Sequence, residues 1–173
     1  MKLRSEIEPG FEIAEKLYPG ILNQILQYAT FREQEDDEDN MAYRALENKL
    51  HALTGKDLSN HNLWEYWEEE GAEVLAFRIA LPDPPTTDDI TKGEVLEIFR
   101  RIGHFEASPK DWDERTFAEK FSLYLDGYYH KLLKLNFVGY DYQKLFGPQK
   151  DKDKKPFWWT NEEKTALLWE ASH

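Results

Sequence analysis

Two carboxylate–imidazole pairs in this chain have a spacing that suits acid–base chemistry: Asp126 with His130, and Glu47 with His51. Each pair is four residues apart and so shares one helical face. A carboxylate beside an imidazole can orient it as a general base or help it hold a metal. The same spacing also gives an ordinary intrahelical ion pair, and neither pair is joined in sequence by a second histidine or a nucleophile. His61 near Glu65 adds no more. There is no cysteine, no glycine-rich phosphate loop, no nucleophile elbow, no pair of histidines four apart and no zinc-ligand pattern. Asp83, Asp88 and Asp89 stand among Pro82, Pro84 and Pro85, at spacings that do not match a calcium loop. No cofactor or metal is expected.

The carboxylates do more as a group. Glu33, Glu35, Asp36, Asp37, Glu38 and Asp39 fill six of seven consecutive positions. They repel one another and predict an exposed turn. A second run, Glu65, Glu68, Glu69, Glu70 and Glu73, surrounds Trp64, Tyr66 and Trp67. Aromatic anchors beside steering charges are the usual division of labour at a protein interface. The candidate partner-binding residues are therefore the six acids of the first run, with Glu65, Tyr66, Glu68 and Glu69 from the second. The chain holds 34 acidic and 22 basic residues, a net charge of −12. Residues 1–97 carry 22 acids and 9 bases, whereas residues 98–173 carry 12 and 13. Such a field disfavours nucleic acid and anionic lipid and attracts a basic partner. Lys150, Lys152, Lys154 and Lys155 are interleaved with Asp151 and Asp153, too balanced for a nucleic-acid footprint.

Helices must position these residues. Phe117, Phe121, Tyr124, Leu125, Tyr128 and Leu132 stack on one helical face and predict a central helix over about 111–137. Ser108, Pro109 and the acids Asp111, Asp113 and Glu114 suit its start. Gly127 within it costs about 1 kcal/mol against alanine and implies a close helix crossing. Upstream, a helical stripe over 5–18 is punctuated by Pro19 and Gly20, and a second stripe runs from Ile21 to Phe31. Asp39 or Asn40 can cap the next helix, whose Tyr43, Leu46, Leu50 and Leu53 lead to Gly55. Asn62–Glu70 also reads as helix.

Segment 72–81 is ambiguous. Val74, Phe77 and Ile79 favour a strand, while Ala72, Leu75, Ala76 and Ala80 favour a helix. With no other strand to pair with, helix is expected and strand is the alternative. The prolines at 82–85 enforce an extended loop. Thr91 with Glu94, and Thr160 with Glu163, have capping-box spacing. Residues 150–155 read as a solvated linker, and Phe157, Trp158 and Trp159 as pins for the last helix. The sum is a mainly α fold: one compact multi-helix domain over residues 1–173. No apolar run approaches the roughly 20 residues of a membrane span, and the acidic N-terminal stretch does not suit a signal peptide, so a cytoplasmic location is expected.

In charge, size and helical content over its whole length, the chain resembles the small cytoplasmic immunity proteins that bacteria carry beside contact-dependent growth-inhibition toxins. The resemblance implies a non-catalytic protein that neutralises a cognate toxin, commonly a basic nuclease, by covering its active site or substrate groove. Direct nucleic-acid, membrane and small-molecule partners are not expected. The alternatives are a helical enzyme or ligand-binding module with a pocket near Asp126 and His130, or an adaptor for a basic host protein.

Overall fold

The computed structural model describes residues 2–59, 61–65, 71–103 and 108–172. Among them are eight α-helices: α1 (Phe11–Gln34), α2 (Met41–Thr54), α3 (Ala72–Ala80), α4 (Lys92–Ile102), α5 (Phe117–Phe121), α6 (Asp126–Asn136), α7 (Tyr142–Phe146) and α8 (Asn161–Ser172). Single 3-10 turns at Trp112–Glu114 and Ser122–Tyr124 flank α5. Strands β1 (Gln149–Lys150) and β2 (Pro156–Phe157) form a two-residue antiparallel ladder with Gln149 opposite Phe157. The fold is mainly α. By its contacts the chain divides into two compact units, Pro9–Asp83 with Ser108–Tyr124, and Met1–Glu8 with Pro84–Ala107 and Leu125–His173.

In the first unit α1 packs on α3 and α2. The stripe Ala14, Ile21, Ile25 and Tyr28 is buried, and α1 runs straight through Pro19 and Gly20, which lie on its exposed side. This corrects the predicted break. A helix-interior proline costs about 3 kcal/mol, and burial of the stripe on either side of it is sufficient to offset that. Segment 72–81 is settled as helix α3 over Ala72–Ala80, seven of its nine residues being buried, with Leu81 as its extended cap. Only Glu73 and Arg78 break its apolar run, so it carries almost no polar face, which is why its pattern also suits a strand. Lys56 Nζ closes its C-terminal end by donating to the carbonyls of Arg78, at 2.8 Å, and Leu81. The core is aromatic: Phe77 stacks on Phe121 at 4.5 Å, and Phe121 meets Phe117 at 4.9 Å and Tyr18 at 5.3 Å.

In the second unit α4 packs against α6 and α8. Arg101 gathers its polar groups: the guanidinium donates to both Glu8 carboxylate oxygens (2.7 and 3.0 Å), to Tyr129 Oη (3.0 Å) and to Glu97 (3.1 Å). Asn136 ties in the proline loop, accepting from Thr87 N–H at 2.6 Å and donating to the Pro85 carbonyl at 3.0 Å. The capping boxes at Thr91–Glu94 and Thr160–Glu163 both form. The expected solvated linker at 150–155 is the turn of the small hairpin, its exposed residues held by Asp151 Oδ1, which accepts from the N–H groups of Asp153 and Lys155.

The continuous helix predicted over 111–137 is not formed. Thr116 is extended (φ −63°, ψ 162°), and its hydroxyl and N–H close a capping box with Glu119 that starts a fresh helix, α5. The stretch between is 3-10 and then α6, and the division between the units falls between Tyr124 and Leu125. A capping box inside an apolar stripe outranks the periodicity, because it satisfies N–H groups that only a helix start leaves open.

Candidate functional site

The acidic turn joins α1 to α2. Glu33, Glu35, Asp36, Glu38 and Asp39 are exposed, as predicted for this run, but Asp37 is only 8% exposed. Its Oδ1 accepts from Ala42 N–H (3.0 Å), and its Oδ2 from Tyr43 N–H (2.9 Å) and Tyr28 Oη (3.3 Å). These amides belong to the first turn of α2, where intrahelical acceptors are lacking. Asn40, a predicted cap, is left-handed (φ 54°) and makes no side-chain cap bond; Asp37 does that work from upstream. Burial pushes the Asp37 carboxyl up, but the N–H donors of Ala42 and Tyr43 outweigh it and hold the group below the ordinary carboxylate range.

The same polar fastening builds a groove. Tyr28 meets Tyr43 edge-on at 5.8 Å and Trp64 at 6.0 Å. Tyr43 Oη donates to the His61 carbonyl (3.3 Å) and accepts from Leu63 N–H (3.4 Å), which ties the loop to α2. Asn62 Oδ1 accepts from the N–H groups of Trp64 (3.1 Å) and Glu65 (2.9 Å), and its amide donates to the Glu65 carboxylate at 3.1 Å. The result is a cavity of about 460 Å³ bounded by the end of α1, the start of α2 and segment 61–65. Tyr28, Tyr43 and Trp64 supply aromatic walls; Asn40, Glu47, Asn62 and Glu65 supply polar lining. Arg32 and Arg44 also face it, the Arg32 guanidinium lying 5.1 Å from the Trp64 ring centre. Among the described residues neither arginine forms an ion pair, and Arg32 Nε is buried without a hydrogen-bond partner.

Of the predicted site residues, Glu65 lines the groove; none of Glu33, Glu35, Asp36, Asp37, Glu38 and Asp39 does, although Asn40, which follows them in the chain, is part of the lining. Tyr66, Trp67, Glu68, Glu69 and Glu70 lie outside the described residues; the described part of the predicted Asn62–Glu70 helix, Asn62–Glu65, is not helical but a bend, because the Asn62 side chain takes the N–H groups of Trp64 and Glu65. Arg32, Arg44, Tyr28 and Tyr43 did not figure among the predicted site residues. The tyrosines read as core positions, and the two arginines are obscured by the acids around them.

The carboxylate–imidazole pairs have other employment. His51 Nδ1 pairs with the Lys56 carbonyl at 2.7 Å beyond the end of α2, while Glu47 lines the groove. His130 Nδ1 pairs with Tyr140 Oη at 2.6 Å, and its ring lies against Phe146 (4.9 Å) and Tyr142 (5.2 Å). Lys164 Nζ sits 4.5 Å from the Phe146 ring centre. Burial pulls the His130 imidazole below its ordinary pKa, Asp126 opposing the shift and Lys164 adding to it; burial also pushes Tyr140 up to about 12. The cluster joins α6, α7 and α8 around an imidazole whose burial disfavours protonation. Among the described residues, no three His, Asp or Glu side chains converge to hold a metal, and no helix is long and apolar enough to cross a membrane. Comparison with known proteins finds no family model, no curated relative and no solved structure that matches the chain.

Proposed function

We propose that this chain is a non-catalytic binding protein that seats a basic partner protein on the groove between α1, α2 and segment 61–65. The observation that carries the reading is the groove itself: about 460 Å³, walled by Tyr28, Tyr43 and Trp64, with the exposed acids Asp36, Glu38 and Asp39 just ahead in the chain of its lining residue Asn40. Aromatic walls give a partner side chain apolar area to bury, and the acidic turn speeds encounter with a positive surface. In line with the resemblance to immunity proteins, the partner would be a cognate toxin with a basic, nuclease-type domain whose active site or substrate groove this face covers.

Affinity capture with the tagged chain tests it, run beside a variant carrying Asp36→Lys, Glu38→Lys, Asp39→Lys and Glu65→Lys, at low and high salt. Wild type is expected to retain one basic protein at low salt and much less at high salt, with the variant retaining none. Co-expression should suppress that protein's toxicity. Equal retention by the variant overturns the docking face, and a retained partner without toxicity overturns the immunity role.

A further inference from the structure

We infer that the groove holds a carboxylate subsite, in which Arg32 and Arg44 take one acidic side chain that the partner presents within its basic surface. The inference rests on the docking reading and adds to it the identity of a partner group. In a chain with 34 acidic residues, two arginines face the same groove and, among the described residues, neither is ion-paired, although Glu47 and Glu65 line it too. The Arg32 guanidinium carbon lies 5.1 Å from the Trp64 ring centre, and among the described residues Arg32 Nε is a buried donor with no acceptor. An unmet buried donor is a cost that a bound acceptor relieves. A guanidinium held against an aromatic ring keeps its N–H donors, and that planar fork matches a carboxylate.

The field of the whole chain selects the source of the carboxylate. A free anion must approach a net charge of −12, which repels it over the range of an unscreened surface. An acidic side chain carried on a basic protein is drawn in by that same field. The groove therefore reads a pattern, one negative group flanked by positive ones, and rejects a uniformly basic surface.

Two acetylated, amidated peptides separate this from plain electrostatics: Gly-Lys-Lys-Glu-Lys-Lys-Gly and its counterpart with glutamine in place of glutamate, titrated against the full chain at low salt. Attraction to the acidic turn alone makes the more positive glutamine peptide the tighter ligand. The subsite predicts the opposite order, the glutamate peptide binding roughly five-fold tighter, as a hydrogen bond between charged groups allows. In the Arg32→Gln, Arg44→Gln variant, checked for unchanged thermal unfolding, the order reverses. Tighter binding of the glutamine peptide to wild type, or a glutamate preference that survives in the variant, overturns the subsite and leaves the docking face standing. Binding of neither peptide overturns both.

Discussion

The Trp64 groove and the His130 cluster are built from similar parts. Each sets a cation over an aromatic ring, Arg32 over Trp64 at 5.1 Å and Lys164 over Phe146 at 4.5 Å, and each lies where helices meet. They differ in what remains unspent. At His130 the imidazole bonds Tyr140 and is bracketed by Tyr142 and Phe146, so its polar and ring contacts serve the fold. At Trp64 a cavity stands open and two arginines have no ion-pair partner among the described residues. Histidine and carboxylate spacing points at the first region; spare hydrogen-bonding capacity points at the second.

The largest expected effect tests the aromatic core of the unit that carries the groove. Phe77→Ala removes a fully buried ring that stacks on Phe121, and should lower the unfolding free energy measured in urea by about 3–5 kcal/mol. Next, His130→Ala should cost about 1–3 kcal/mol through the lost Tyr140 bond and ring contacts, with peptide binding unchanged. Loss of binding at unchanged stability would transfer function to that cluster. Its pH dependence has a definite sign. The folded-state pKa of His130 lies below the ordinary 6.5, so below that pH the unfolded chain takes up a proton that the folded site resists. Stability should therefore fall as the pH drops from 6.5 through the folded-state value, contribute no slope above 6.5, and lose this component in His130→Ala.

Within the acidic turn, Asp37→Asn should lower the melting temperature by roughly 3–6 °C, because it weakens a cap on α2, whereas Asp36→Asn should leave it unmoved. Equal effects would erase the distinction between the structural acid and its binding neighbours. A comparably small change in stability is expected for Arg44→Gln, within about 0.5 kcal/mol, although it should remove most of the glutamate-peptide preference.

Much of the fold was legible because it is locally encoded. Thr91–Glu94 and Thr160–Glu163 mark helix starts with groups three residues apart, and both boxes form. Thr116–Glu119 carries the same signal, but the apolar stripe around it suggested one long helix. Pro19 and Gly20 read as a break because the burial of Ile21 and Ile25 that holds α1 together is tertiary. The exposure of Asp36, Glu38 and Asp39 follows from mutual repulsion, while the burial of Asp37 depends on Tyr28, nine residues earlier, and no short motif records it. The groove was least legible, since Arg32 meets Trp64 across 32 positions and only the folded chain brings them together.

The most direct test of the docking face is the affinity of the captured basic partner for wild type and for Trp64→Ala. A central aromatic anchor is worth about 2 kcal/mol or more at an interface, so the variant should bind at least roughly 30-fold more weakly while still unfolding cooperatively. Affinity within about two-fold of wild type, less than 0.5 kcal/mol, would place the partner elsewhere and contradict the account.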